Sequence, residues 1–162
     1  MTPDESFAEF YAARKDPCLR ALVASGTDRA AAEEALAEAF ARAWAAWPKV
    51  SRHPSPSAWV VRTALNHHVS RWRRTRREVA LGGDVPVGVH DPVHPERDDL
   101  RRAVAALPLR QRQVVALRFF LDLDTKQTAD ALDMSPGTVT AHLHRAMTTL
   151  RATVSLDLEV RA

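Results

Sequence analysis

Arginine side chains are concentrated in one short run of this sequence. The stretch RWRRTRR, from Arg71 to Arg77, holds five arginines within seven residues, with Trp72 among them. Guanidinium groups bind phosphates, and an aromatic ring offers a surface on which an unpaired base can stack. Because such a run also occurs as an ordinary solvated basic face, the run alone leaves both interpretations open.

A second candidate lies near the C-terminus, in the stretch QTADALDMSPGTVTAHLHRAM. Its spacing predicts a helix from Thr125 to Leu132, a two-residue turn, and a second helix that Ser135 caps and Pro136 begins. The apolar residues of the second helix are predicted to be buried, and they are Val139, Leu143, Met147 and Leu150. Thr138, Thr140, Ala141, His142 and Arg145 then face outward, as in the major-groove helix of a helix-turn-helix. An αα-hairpin in an unrelated bundle shares this spacing.

The helices that must position these groups are predicted from composition and periodicity. The chain has 162 residues, 46% hydrophobic and 27% charged, and Ala, Leu and Arg dominate, which favours an all-α fold. The formal net charge is only +3, but the first 79 residues carry 13 Lys and Arg against 9 Asp and Glu. The basic excess of that half therefore lies in the arginine run.

The N-terminal half shows three helical patterns. A first helix is predicted to be interrupted around Pro17 and to end at Gly26. A second begins after Asp28 as N-cap and ends at Pro48, with one apolar stripe made of Ala32, Leu36, Phe40, Trp44 and Trp47. A third begins at Ser55 and Pro56 and continues into the arginine run, with Val61, Leu65, Val69 and Trp72 on its apolar side.

A change of composition divides the chain. Residues 80–95 contain six Gly and Pro residues from Gly82 to Pro95 and have no helical period, so they are predicted to be a flexible linker. Beyond it, Leu100, Val104 and Leu107 mark a short helix that ends at Pro108, and Val114, Leu117 and Leu121 mark another. We therefore expect two small helical domains, residues 1–79 and 96–162, the last helix ending about ten residues before the C-terminus.

Enzymatic function is not indicated by any motif. The sequence has no glycine-rich phosphate loop, no cysteine pair for zinc and no nucleophile motif, so we expect no catalysis, no cofactor and no metal. A single cysteine, Cys18, excludes an intramolecular disulfide. No apolar run approaches the roughly 20 residues that span a bilayer, so we expect a soluble, cytoplasmic protein without a membrane partner.

The order of these patterns resembles a known family, the extracytoplasmic-function group of bacterial RNA polymerase sigma factors in the sigma-70 family, and within it the actinobacterial sigma-E-like subgroup. The segments SFAEFYAAR, AAAEEALAEAFARAWAAWPKV, SAWVVRTALNHHVSRWRRTRRE and LPLRQRQVVALRFFLDLDTKQTADALDMSPGTVTAHLHRAMTTLR occur in family order, with a variable linker between the third and fourth. Response-regulator DNA-binding domains share the last segment, whereas its combination with the Trp-rich, Arg-ended first half is specific.

This resemblance implies that residues 1–79 are sigma domain 2 and residues 96–162 are sigma domain 4, and that the partners are core RNA polymerase, promoter DNA and an anti-sigma factor. It implies polymerase binding, at the clamp coiled coil of the largest subunit, by Glu33, Glu34, Glu38 and Arg42. It implies contacts with the promoter's minus-ten element by Arg62, Asn66, Arg71, Arg73, Arg74, Arg76 and Arg77. It implies contacts with the minus-thirty-five element by Arg110, Arg112, Lys126, Ser135, Thr138, Thr140, His142 and Arg145.

The sequence departs from the family pattern at a few positions. Ala37 stands where the polymerase-binding helix usually has glutamine, and Asp133 stands at the usual glycine of the turn. Thr140 and His142 stand where the groove-facing helix usually carries Lys and Arg. Two other functions fit the residues without the resemblance, a stand-alone helix-turn-helix regulator and a helical protein-interaction module.

Overall fold

The computed structural model describes residues 1–80 and 95–161, with side chains over residues 1–68, 99–156 and 159. The described residues form eight helices and no strand, which confirms the all-α prediction. The helices are α1 (Pro3–Ala24), α2 (Arg29–Ala45), α3 (Trp47–Val50), α4 (Pro56–Ala80), α5 (Pro95–Ala105), α6 (Leu109–Phe119), α7 (Thr125–Leu132) and α8 (Pro136–Arg161). The predicted linker lies outside the described residues, except for its ends, Ala80 in α4 and Pro95 in α5.

Helix α1 is continuous, so the predicted interruption around Pro17 is wrong. The helix begins with a capping box, in which Thr2 accepts from the Glu5 amide and Glu5 accepts from the Thr2 amide. It then passes through Pro17 and ends at Ala24. Proline lacks the N–H that would bond four residues back, but burial of Cys18 and Leu22 in the core directly beyond it holds the segment helical.

Proline also has a different effect at the end of α2 from the one predicted. Helix α2 begins after Asp28, whose side chain accepts from the Ala31 amide, and ends at Ala45. Pro48 then lies in the first turn of α3, where its missing N–H would have no helical partner in any case. The chain therefore makes a short second helix at the point where the sequence predicted a stop.

Helix α4 begins as predicted. Ser55 caps it, since its hydroxyl accepts from the Ala58 amide at 3.2 Å. Val61 is fully buried and Leu65 is partly buried, which places the first half of the predicted stripe in the core. The predicted core positions Val69 and Trp72 lie outside the described side chains.

In the C-terminal half, some predicted helix bounds and buried positions match the structure and others do not. Helix α7 has the predicted bounds, and Val104 and Leu107 are buried as predicted. Leu100 is 54% exposed instead of buried, and α8 continues to Arg161, well beyond the predicted end.

Buried apolar side chains form two clusters, and the larger one joins the two halves of the chain. It combines residues of α1 to α4 with residues of α6 to α8, among them Leu22, Phe40, Val61, Leu117, Leu123, Leu132 and Val139. The smaller cluster belongs to the C-terminal half alone and includes Val104, Leu107, Val115, Ala146 and Leu150. Helix α7 packs against α4, and α5 and α6 pack against α1, so the two halves meet through five helices.

Candidate nucleic-acid and polymerase interfaces

Two capped helices and a left-handed residue build the helix-turn-helix. Asp124 caps α7 by accepting from the Gln127 amide at 2.8 Å, and Gln127 returns a bond to the Asp124 amide at 3.0 Å. Asp133 follows the last residue of α7 with φ 54° and ψ 53°, and its amide donates to the Ala129 carbonyl. Asp is one of the few residue types that adopt this conformation at low cost, so it can replace the glycine usual in such turns.

Ser135 fixes the start of α8. Its hydroxyl accepts from the Thr138 amide at 3.1 Å and lies 2.8 Å from the Thr138 hydroxyl. Val139 is fully buried in the shared cluster, together with Ala129 and Leu132 of α7. The buried valine fixes the rotation of α8 about its axis, and therefore fixes which of its side chains face outward.

Most of the predicted groove-facing residues are exposed. Thr138, Thr140 and Arg145 lie on the surface. The Thr140 hydroxyl donates to the Pro136 carbonyl at 3.1 Å, so its hydrogen is already used, and only its lone pairs and methyl group remain available to a partner.

His142 differs from the prediction, which placed its side chain outward. The residue is half-buried, and its Nδ1 is buried without a hydrogen-bond partner. Ala141, which was also predicted to face outward, is half-buried too, so the apolar side of α8 is wider than the stripe that the sequence suggested.

Two of the three cations predicted to flank this helix already have partners within the chain. Arg110 donates to Gln113 Oε1 and to the Leu132 carbonyl, both at 3.3 Å. Arg112 donates to the Ala105 carbonyl at 3.3 Å and is half-buried. Lys126 is exposed on α7.

Three acidic side chains and Arg42 are distributed over the outward half of α2. Glu33, Glu34, Glu38 and Arg42 are called the acidic face below. Glu33 pairs with Arg29 at 3.2 Å, and Glu38 pairs with Arg42 at 2.9 Å, each pair spanning one helical turn. Glu34 is exposed between them. All four predicted polymerase-binding residues are therefore accessible, but Glu33 and Arg42 lie about half a turn apart around α2, at opposite edges of its outward half.

The residues predicted to contact the minus-ten element all belong to α4. Asn66 and Arg62 are exposed, and the Arg62 guanidinium contacts the C-terminal half at the Asp130 carbonyl and the Asp133 carboxylate. The arginines from Arg71 to Arg77 continue the same helix, and their side chains lie outside the described ones.

The sequence stripe misplaced one aromatic residue. Trp44 was predicted to be buried, but its ring is 59% exposed and lies 6.4 Å from that of Phe7. Trp47, three residues later, fills the core position instead and is only 6% exposed. The buried side of α2 passes through Ala39 and Ala43, and Trp47 follows Ala43 by one helical turn. Trp44 lies at the edge of that side, so its ring reaches solvent. The exposure of Trp44 is a surface feature that periodicity alone could not reveal.

Two titratable groups in the N-terminal half have shifted pKa values. Burial raises the pKa of the Cys18 thiol to about 12, against a smaller lowering effect of Arg14. Burial also lowers the pKa of His68, a shift that Asp28 opposes and His67 reinforces. Among the described side chains no group of three His, Cys, Asp or Glu residues could hold a metal ion.

No helix in the described part of the chain has the length and apolar character needed to cross a membrane.

Comparison with known proteins gives matches over both halves of the chain. The family model for sigma-70 region 2 matches residues 11–78, and that for sigma-70 region 4 matches residues 97–150. The RNA polymerase sigma-E factor of Streptomyces coelicolor is 32% identical over 160 residues, which cover 96% of this chain and 90% of that protein. That of Streptomyces antibioticus is 33% identical over 160 residues, covering 96% and 89%.

Solved structures show the same fold. The sigma factor RpoE of Bartonella quintana, solved with the anti-sigma factor NepR, superposes with a TM-score of 0.79 at 18% identity, over 94% of this chain and 99% of that one. CnrH, solved with the cytosolic domain of CnrY, superposes with a TM-score of 0.64 at 20% identity, over 95% and 90%. These likenesses place both halves in one known architecture.

The family resemblance is thereby confirmed, and neither the stand-alone regulator nor the protein-interaction module explains matches to both sigma regions in one chain. Sigma factors as a family are not enzymes. The chain belongs to the extracytoplasmic-function group of the sigma-70 family, and it is a sigma factor that directs core RNA polymerase to promoters.

Proposed function

We propose that this sigma factor divides its work between its two halves. Residues 1–79 form sigma domain 2, which binds core polymerase and the minus-ten element. Residues 96–162 form sigma domain 4, which binds the minus-thirty-five element, and residues 80–95 connect the two. The observation that carries this proposal is the helix-turn-helix at Asp133 in the same chain as the arginine-ended helix α4.

Polymerase binding is assigned to the acidic face on α2. Its carboxylates are accessible, and two of them are held in place by the Arg29–Glu33 and Glu38–Arg42 pairs. Exposed pairs of this kind are worth only about 0.2–1 kcal/mol each, so a partner's cations can displace them at little cost. A basic surface on the polymerase clamp would therefore be the complementary partner.

DNA binding is assigned to α4 and α8. On α4, Asn66 and Arg62 offer polar groups ahead of the arginine run, which would grip phosphates while an unpaired base is held by stacking. On α8, Ser135, Thr138, Thr140 and Arg145 would meet the major groove, with Lys126 near a flanking phosphate. His142, half-buried, would contribute less than the sequence suggested.

An anti-sigma factor is proposed as a further partner, because the sigma factor RpoE, which shares this fold, was solved with the anti-sigma factor NepR. The chain itself would catalyse no reaction and would act in the cytoplasm, where polymerase and promoter DNA are found.

The test is in-vitro transcription with purified core polymerase and the double variant Glu34→Lys/Glu38→Lys. We expect the variant to lose both co-purification with core enzyme and promoter-directed transcription, with unchanged helicity. The control is Glu9→Lys/Asp16→Lys, which makes the same charge change at exposed positions of α1. Equal loss in both variants, or in neither, would remove the acidic face as the docking surface.

A further inference from the structure

Arg62 is the point at which the C-terminal half reaches the DNA-facing side of α4. Its Nη1 donates to the Asp130 carbonyl at 3.3 Å, and its Nη2 lies 3.6 Å from Asp133 Oδ1. Both acceptors belong to the end of α7 and the turn before α8. A guanidinium held by these two oxygens has fewer donors free for a phosphate.

Arg112 makes a second contact between the halves. Its guanidinium lies over Gly26, in the turn between α1 and α2, so closely that a Cβ on Gly26 would be 2.7 Å from Arg112 Cζ. Gly26 has φ +101°, so the turn also requires glycine for its backbone. Arg112 is therefore seated between the halves, away from the phosphates to which the family assignment would direct it.

Apolar burial accompanies both contacts. Helix α7 has only eight residues, yet Thr128, Ala129, Ala131 and Leu132 are all buried, because α7 packs against α4 as well as against α6 and α8. The cluster that includes Ala129 and Leu132 also includes Val61 and Ala64 of α4. Most of the adhesion between the halves therefore comes from removing apolar surface from water.

This arrangement cannot persist when both halves are on promoter DNA. The minus-ten and minus-thirty-five elements lie about 25 base pairs apart, which is about 85 Å at 3.4 Å per base pair. Packed helices such as α4 and α7 have axes only about 8–10 Å apart. The 15 peptide steps from Ala80 to Pro95 reach about 50 Å at most, so the connection is long enough for the halves to separate by several tens of ångströms.

We propose that the free chain is closed, with the α7–α8 turn docked on the DNA-facing side of α4, and that Asp133 competes with DNA phosphate for Arg62. This inference rests on the proposed function in one respect, because it takes Arg62 as a DNA contact. Glycine would suit the left-handed turn best, whereas aspartate at that position adds a carboxylate that faces Arg62. Opening is then the step that releases Arg62 for the minus-ten element.

The strength of the pair suits a contact that must be reversible. The Arg62 and Asp133 side chains are 48% and 86% exposed, and exposed pairs change an equilibrium by only about 1.4- to 5-fold. The pair therefore biases the closed state without locking it, and DNA or polymerase can displace it.

A distance measurement in the full-length chain tests closure directly. Spin labels at Lys49→Cys and Thr149→Cys, both exposed sites, report the separation of the halves. Cys18 is fully buried and does not take up the label. We expect one narrow distance that matches the structure in the free protein. A broad distribution of longer distances, in a preparation that is active in transcription, would overturn closure while leaving the proposed function intact.

The Arg62–Asp133 pair is tested by the direction in which Asp133→Asn changes the ratio of closed to open chains, in the wild type and in an Arg62→Glu background. Asp133→Asn keeps a residue that tolerates the left-handed turn but removes the charge. In the wild type it should lower the ratio of closed to open chains by about 1.4- to 5-fold. In an Arg62→Glu background it should raise that ratio, because it relieves the repulsion between two carboxylates.

A matched control is Asp130→Asn, which removes an equal charge three residues away while keeping the backbone carbonyl that Arg62 contacts. We expect Asp133→Asn to tighten binding to a labelled 20-nucleotide oligothymidylate by about 1.4- to 5-fold more than Asp130→Asn does. An equal effect of the two variants, or no reversal of sign in the Arg62→Glu background, would overturn the assigned role of Asp133.

Discussion

At the scale of single residues, two threonines of α8 differ mainly in where they lie. Thr140 and Thr149 are both exposed, and each hydroxyl donates to the carbonyl four residues earlier at 3.1 Å. Nine residues separate them, which is about 13 Å along the helix and about half a turn around it. Only Thr140 lies on the side assigned to the major groove.

Replacing Thr140 by Lys should therefore strengthen DNA binding. The new cation would reach a phosphate and release about one counterion, so the slope of log affinity against log salt should steepen by about 0.9. Thr149→Lys, the same chemical change on the opposite side of α8, should leave the slope nearly unchanged. The measurement is a salt titration of the full-length proteins on one labelled duplex. Identical slopes for the two variants would contradict the placement of α8 in the groove.

Cys18 gives a prediction about pH. Burial favours its neutral thiol and raises its pKa to about 12 from the ordinary 9.0, so the unfolded chain loses this proton first as the pH rises. Stability is then complete below about pH 9 and falls toward pH 12. At pH 10.5 we expect a loss of about 2 kcal/mol, which urea unfolding of the wild type and of Cys18→Ala should resolve. If the Cys18→Ala protein loses as much between pH 8 and 10.5, other groups cause the effect.

At the scale of elements, the sequence predicted turns better than it predicted the continuity of helices. The bounds of α7 and the left-handed Asp133 follow from local chemistry, since caps and turn residues act within a few positions. The continuity of α1 through Pro17 and the exposure of Trp44 depend on what each helix packs against. Periodicity identifies an apolar side, but it does not identify the neighbour that covers it. The length of α8 beyond Leu150 was missed because that segment carries weak apolar periodicity.

The destabilising effect of Pro17 within α1 can be measured by substitution. Pro17→Ala should restore the hydrogen bond to the carbonyl of residue 13, which stabilises the helix, while the freer unfolded chain offsets part of the gain. We expect a net gain of about 2 kcal/mol and a rise in Tm of roughly 4–8 °C in a chain of this size. Pro3→Ala is the control, because Pro3 is the first residue of α1, where proline costs little. A lower Tm for Pro17→Ala would mean that the ring itself is needed in the core.

At the scale of the whole molecule, composition suggested two independent modules, whereas the structure gives the two halves a shared core. The glycines and prolines of residues 80–95 predicted a boundary between two helical segments, but nothing in them indicates whether the segments touch. The contacts that join the halves come from residues such as Val61 and Val139, which the sequence predicted only as apolar positions of their own helices. Small residues such as Gly26 and Ala131 allow the close approach, and a sequence pattern does not distinguish them from ordinary turn and helix residues.

Limited proteolysis tests both the predicted linker and the core that the two halves share. Residues 80–95 are rich in Gly and Pro, so trypsin should cut first between about Val79 and Arg97, at the flanking arginines. Because the larger buried cluster draws residues from both halves, the two fragments should stay together and elute from gel filtration at the volume of the intact protein. Low urea should separate them before either unfolds, since fewer helix pairs pack between the halves than within them. Arg97→Gln should slow the cut without changing the elution volume.

A first cut within α2 or α7 would contradict the division of the chain into two domains. Fragments that separate at once in buffer would mean that the contact between α4 and α7 is too weak to hold the two halves together.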